Sequence, residues 1–221
     1  MKILALEASG EYCSVALWLE GEVAARVSRA GQTHSEILLP MVDELLAERG
    51  MKLADLDGLA FGAGPGSFTG LRIACGVAQG LAFGAGLRVA AVGTLVALAE
   101  ACGARRAVCC LDARMGGIYH AAYEKHRGAW REVHAPALMA PRDAPPLPTG
   151  DWVGCGSGFA VHGEALAQRY RLKEVRSDLF PHARDIARLA VALFASGLSV
   201  EPEHAAPLYV RDKVALKMGE R

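Results

Sequence analysis

Two carboxylates stand at matching places in this sequence. Glu7 ends an apolar run at 2–7 and opens the turn Glu7-Ala8-Ser9-Gly10; Asp112 ends another at 107–111 and opens Asp112-Ala113-Arg114-Met115-Gly116-Gly117. A carboxylate beside a hydroxyl, as in Glu7 and Ser9, has the chemistry to meet a metal-bound water or a phosphate. The same residue types also make plain hairpin turns. Between the two lies a third feature at 59–76, where Gly62, Gly64, Pro65, Gly66 and Ser67 separate a short apolar run from a helical pattern. This reads as strand, glycine turn, helix start. Ser67 or Thr69 can cap the helix, and a helix start behind a glycine turn suits an anion. It is not a Walker A loop, which needs G-x-x-x-x-G-K-[ST], because no Lys lies in the stretch. A tight structural turn remains an equal alternative.

The elements around these turns follow from periodicity. Strands are expected at 2–7, 13–19 and 22–28, an antiparallel meander. Thr33 and Glu36 have the spacing of a capping box. The helix behind them carries Ile37, Leu38, Met41, Val42, Leu45 and Leu46 on one stripe, with Leu39 off it and a kink expected at Pro40. The helix at 67–84 is apolar nearly all round, so both sides should be covered. Leu71, Cys75, Ala78 and Ala82 form one face and Ile73, Val77 and Leu81 another; Gly76, Gly80 and Gly84 recur every fourth residue as a smooth groove. Arg72, Gln79 and these glycines argue against a membrane span. A strand at 88–92 and a helix at 94–102, capped by Thr94, complete the first half.

The pattern then restarts: strands at 107–111, 118–124 and 130–138, a loop at 141–150 with four prolines, a strand at 152–155, a helix at 159–169, a short strand at 175–177 and a helix at 185–196. The proline-punctuated tail reads as a strap across the first half or a partner-docking segment. Two β-β-β-α-β-α units, residues 1–103 and 104–221, are the outline of a two-lobed actin-like ATPase fold, with the two carboxylate turns facing a cleft.

Composition narrows the function. The chain has 221 residues and equal numbers, 24 each, of basic and acidic residues. Zero net charge argues against gripping nucleic acid alone. No signal-peptide pattern opens the chain. Six cysteines without a C-x-x-C pair read as reduced core residues of a cytosolic protein, not a zinc site. No G-x-S-x-G or H-E-x-x-H occurs, which counts against a peptidase. An ATPase or small-molecule kinase of the same fold would have to work with Glu7 and Asp112.

The runs Ile3-Leu-Ala-Leu-Glu-Ala-Ser, Cys13-Ser-Val-Ala-Leu, His34-Ser-Glu-Ile-Leu-Leu-Pro, Gly64-Pro-Gly-Ser-Phe-Thr-Gly-Leu-Arg-Ile, Ala91-Val-Gly-Thr-Leu and Pro207-Leu-Tyr-Val-Arg closely resemble the bacterial TsaB (YeaZ) family, nearly end to end. The resemblance implies the two-lobed fold and a non-catalytic, cytoplasmic partner of the paralogue TsaD. TsaD transfers a threonylcarbamoyl group to the adenosine beside the anticodon of tRNAs reading ANN codons, using a threonylcarbamoyl-adenylate donor made by TsaC. A small ATPase, TsaE, joins the complex; tRNA is met indirectly. The catalytic relative carries H-x-x-x-H on its first helix, whereas here Leu38 stands four residues after His34. The family's first turn usually reads Asp-Thr-Ser or Asp-Thr-Ala; Glu7-Ala8-Ser9 departs from it, which puts a nucleotide contact at Glu7, Ser9 and Asp112 in doubt. No cofactor is required of this chain, and ATP or ADP at the cleft or at the complex interface is left open. The resemblance also implies a dimer surface, with itself or with TsaD, on the first helix and the helix after the glycine turn. Leu38, Met41, Val42 and Leu45 on one and Ile73, Val77 and Leu81 on the other are the expected contacts.

Overall fold

A computed structural model describes residues 1–30 and 33–210. The elements are β1 (Lys2–Glu7), β2 (Tyr12–Leu19), β3 (Glu22–Arg29), α1 (His34–Glu48), β4 (Gly58–Gly64), α2 (Phe68–Ala85), β5 (Val89–Gly93) and α3 (Thr94–Cys102). There follow β6 (Arg106–Asp112), β7 (Ile118–His126), β8 (Ala129–Met139), β9 (Val153–Cys155), α4 (Ser157–Val161), α5 (Gly163–Arg169), β10 (Glu174–Arg176) and α6 (Ala183–Ala195). The strands form two five-stranded sheets in the orders β3-β2-β1-β4-β5 and β8-β7-β6-β9-β10. In each, the first three strands pair antiparallel and the last two join parallel beside the first. The two halves therefore trace one path twice, the two-lobed actin-like fold.

Alternation along β1 explains the layering. Leu4 and Leu6 face a core shared with Leu38, Val42 and Leu45 of α1 and Ala74 and Ala78 of α2. Ile3 and Ala5 face the other way, onto Ala183, Ile186, Ala187 and Ala190 of α6. Small residues on both sides let α6 approach sheet one closely. On sheet two, Ala107, Cys109 and Cys155 meet Leu95, Leu98 and Cys102 of α3. The closing helix of each half thus packs on the other half's sheet: α3 on sheet two, α6 on sheet one. Both come to lie between the lobes, so a cut after residue 103 separates each sheet from one of its helices.

Several local expectations are corrected. Thr33 does not form the capping box: its hydroxyl donates back to Ala30 O at 2.8 Å. Thr94 does not cap α3; its Oγ1 accepts from Gly64 N–H at 2.9 Å and so ties the glycine loop to the next helix. The helix expected at 159–169 is two short helices broken at His162. Among the described residues the second half has no counterpart of α1. Its place is taken by the proline-rich loop, whose prolines offer acceptors and no N–H. Those carbonyls are taken one by one: Ala144 O by Arg169, Pro145 O by the Tyr170 hydroxyl at 3.0 Å, Pro146 O by His134 at 3.1 Å and Pro148 O by Trp152 at 2.8 Å.

Candidate functional site

The glycine turn between β4 and α2 closes over the first carboxylate turn. Glu7 is only 1 % exposed. Ser9 N–H donates to Glu7 Oε1 at 2.5 Å, and Oε2 is buried without a hydrogen-bond partner. Burial pushes this carboxyl above the ordinary carboxylate range, against the hydrogen bonds from Ser9 and Ala8. The glycines are what allow the closure. A Cβ on Gly62 would lie 1.8 Å from Glu7 Oε2, and one on Gly70 would lie 1.9 Å from Ala8 O. Ser67 N–H donates to Ser9 O at 2.8 Å, while the Ser67 hydroxyl caps α2 by accepting from Gly70 N–H at 3.3 Å. Glu7 and Ser9 therefore do not line an open cleft. With Glu7 and Ser9 buried and Ser9 O bonded to Ser67 N–H, the first turn is closed over by the start of α2.

The second turn is more open but self-occupied. Asp112 Oδ2 pairs with Arg114 at 3.3 Å, Oδ1 accepts from Arg114 N–H at 3.1 Å and lies 3.5 Å from His162 Nε2. Arg114 and Met115 adopt left-handed backbone at φ 61 and 52, and Met115 projects outward at 76 % exposure. Large side chains where a phosphate loop keeps small ones leave Asp112 serving its own turn. His34 Nε2 contacts Gly10 O at 2.9 Å. Among the described residues no cluster of three or more His, Cys, Asp or Glu could hold a metal. No Ser or Cys side chain there is hydrogen-bonded to a histidine, and the six cysteines are buried and free.

The other candidate is the paired helices α1 and α2. Leu38, Met41, Val42 and Leu45 are corrected: all four are buried in the core against sheet one, and only Met41, at 8 % exposure, reaches the surface. A helix with a single apolar stripe gives it first to its own sheet. The outward apolar residue of α1 is Leu39, at 43 % exposure, the one lying off the stripe. On α2, Leu71, Cys75, Ala78 and Ala82 are buried as the inner face, and Ile73, Val77 and Leu81 are half-buried along the border toward α1. Beyond them Gly76, Gly80 and Gly84 are exposed, and a Cβ built on any of the three meets nothing within 4 Å. Phe83 stands beside them at 78 % exposure. Glycine inside a helix costs about 1 kcal/mol relative to alanine. Nothing among the described residues packs on these three.

The tail borders the opposite flank of α2. Arg88 fastens Ser199 and Glu201 to the edge of sheet one. Ala205 O then accepts from Gln79 at 3.0 Å and Leu208 N–H donates to Ala63 O at 2.7 Å. Arg72 donates to the Tyr209 hydroxyl at 3.0 Å and sits 3.8 Å over the Phe68 ring. Among the described residues no helix is long and apolar enough to cross a membrane.

The fold and site define a class: a two-lobed actin-like chain whose first carboxylate turn is sealed and whose second helix is open. The family model described as "TsaD: tRNA N6-adenosine threonylcarbamoyltransferase" matches residues 27–217. The TsaB proteins named for tRNA threonylcarbamoyladenosine biosynthesis are similar throughout: that of Escherichia coli is 38 % identical, over 98 % of this chain and 97 % of its own. The Haemophilus influenzae protein is 35 % identical, over 98 % and 96 %. The solved structure of YeaZ from Pseudomonas aeruginosa superposes with a TM-score of 0.89 at 41 % identity, over 94 % of this chain and 99 % of that one. A second Pseudomonas aeruginosa structure, described as an uncharacterized protein with similarity to peptidase YeaZ, has a TM-score of 0.90 and 40 % identity, over 95 % and 99 %. The chain belongs to the TsaB family.

Proposed function

We propose that this chain is a non-catalytic subunit in tRNA threonylcarbamoyladenosine biosynthesis, docking a TsaD-type catalytic subunit through the outer face of α2 and its border with α1. The observation that carries the reading is the row of exposed glycines on α2. They cost helix stability and a Cβ on them would meet nothing among the described residues, as expected where a second helix approaches closely. The sealed first turn and the self-paired Asp112 support a role outside the chemistry. On this reading Ile73, Val77, Leu81, Leu39 and Phe83 contact the partner. The same face joins two copies of this chain when the partner is absent, which keeps an exposed apolar surface covered. TsaE joins the assembled pair, ATP or ADP enters with it at the interface of the complex, and tRNA is held chiefly by the catalytic subunit. The site of action is the cytoplasm.

Sedimentation velocity of the chain mixed with its TsaD-type subunit tests the reading. Wild type is expected to move as a heterodimer and Val77→Glu as separate chains. A wild type that never associates, with TsaE and ATP present, would overturn it.

A further inference from the structure

Residues 205–209 are held against α2 and the end of β4, and of them Leu208 and Tyr209 turn large side chains outward. Ala205 O is taken by Gln79, Leu208 N–H by Ala63 O and the Tyr209 hydroxyl by Arg72. Yet Leu208 stays 48 % and Tyr209 45 % exposed, with the Phe68 and Tyr209 rings 5.6 Å apart. Fixing an extended segment costs conformational entropy. Ala205 is buried in the core, but Leu208 and Tyr209, fixed with much of their apolar surface in water, gain little from the chain's own fold.

The position of the segment says what the side chains are for. At about 100° per residue, Phe68, Arg72, Cys75 and Gln79 form one row along α2, and the strap lies on that row. Ile73, Val77 and Leu81 form another. Gly76 and Gly80 fall between, roughly a quarter turn from each. The open glycine row is thus a trough, with the strap's aromatic cluster along one rim and the branched residues along the other.

We infer that the strap is one wall of the docking groove: a helix of the TsaD-type subunit seated on Gly76 and Gly80 packs against Tyr209 and Phe68 on one side and Ile73 and Val77 on the other. This rests on the docking role proposed above. The patch is continuous with that face along α2, and aromatic side chains on a fixed backbone are the kind that anchor interfaces. Arg72, stacked on Phe68 and bonded to Tyr209, stiffens the wall.

Calorimetric titration of the full chain with the TsaD-type subunit tests this, with each variant's unfolding midpoint measured alongside. Tyr209→Ala is expected to bind about tenfold or more weakly with an unchanged midpoint, and Leu208→Asp likewise. Tyr209→Phe keeps the ring, loses only the bond from Arg72 and is expected within about threefold of wild type. Gly80→Leu, which fills the trough, is expected not to bind. If both strap variants bind as wild type while Gly80→Leu does not, the strap is only a tail anchor and this inference falls, the docking role standing. If Gly80→Leu binds as wild type, the docking role falls and the strap's part with it.

Discussion

Replacing Gly76 and Gly80 together by alanine should move stability and association in opposite directions. Both lie inside α2, neither has a positive φ, and an added methyl at either meets nothing within 4 Å. Glycine is about 0.8–1.0 kcal/mol less favourable than alanine in a helix interior, so the pair should stabilise the isolated chain by about 2 kcal/mol. For a chain of this size that is a rise of roughly 4–8 °C in the unfolding midpoint. Circular dichroism melting reads it, at a concentration where sedimentation shows monomer, so that loss of a homodimer does not enter. The two methyl groups would stand where the partner's backbone comes close, so the same protein should bind the TsaD-type subunit at least tenfold more weakly. A midpoint that falls would show that the glycines serve the chain's own packing. A rise with unchanged affinity would show that no helix sits on them.

Other outcomes follow from the buried groups. Gly62→Ala drives a Cβ into Glu7 Oε2 and should lower stability by about 2 kcal/mol or more; in the Glu7→Ala background the loss should shrink, and strictly additive losses in the double variant would refute the contact. Glu7 holds its proton more tightly folded than unfolded, so its contribution is full below the unfolded carboxyl range and is lost as pH rises above it. The stability of Glu7→Gln relative to wild type should therefore improve steadily from pH 4.5 upward in urea titrations; a pH-independent difference would count against a buried neutral acid. His120 and His182 are pushed down to about 4, chiefly by burial, with His134 adding to the first and Arg184 and Arg188 to the second. Both fold neutral while the unfolded groups titrate near 6.5, so stability should drop as pH falls from about 6.5 to about 4, by up to about 3 kcal/mol for each. His182 Nδ1 accepts from Arg184 N–H and caps α6, so His182→Asn should keep the cap and flatten that acid limb; an acid limb as steep as wild type would assign the loss elsewhere.

The fold was legible because each half carries its own punctuation. Alternating apolar runs, glycine turns and the 3.6-residue stripes of α2 and α6 mark the elements; on α2 the spacing separates two apolar rows without naming the inner one, which burial assigns to Leu71, Cys75, Ala78 and Ala82. The site was less so. On α1 the same stripe was given both to the core and to a partner, and sheet one takes it whole; the usable signal was Leu39, off the stripe. The residue types at Glu7 read first as a plain hairpin turn, with a metal-water or phosphate contact as the alternative, and nothing local shows that β4 delivers Gly62 against it. That closure is a contact between residues 55 positions apart, made by parallel pairing of β1 with β4. The crossing of α3 and α6 onto each other's sheets is equally non-local, since no residue pattern in either helix names the sheet that covers it. The proline punctuation of the tail reads as a strap across the first half or a docking segment, while the bond from Gln79 to Ala205 that anchors it on α2 joins residues too far apart for any local pattern to name.

The most direct measurement is the yield of threonylcarbamoyladenosine in a reconstituted reaction of TsaD-type subunit, TsaE, donor, ATP and tRNA, supplied with wild-type chain, Gly80→Leu or Asp112→Asn. A docking subunit requires that wild type supports modification, that Gly80→Leu does not although folded, and that Asp112→Asn supports it fully. Full yield with Gly80→Leu, or a yield lost in Asp112→Asn while the complex still forms, would place this chain's contribution in its cleft instead of on its second helix.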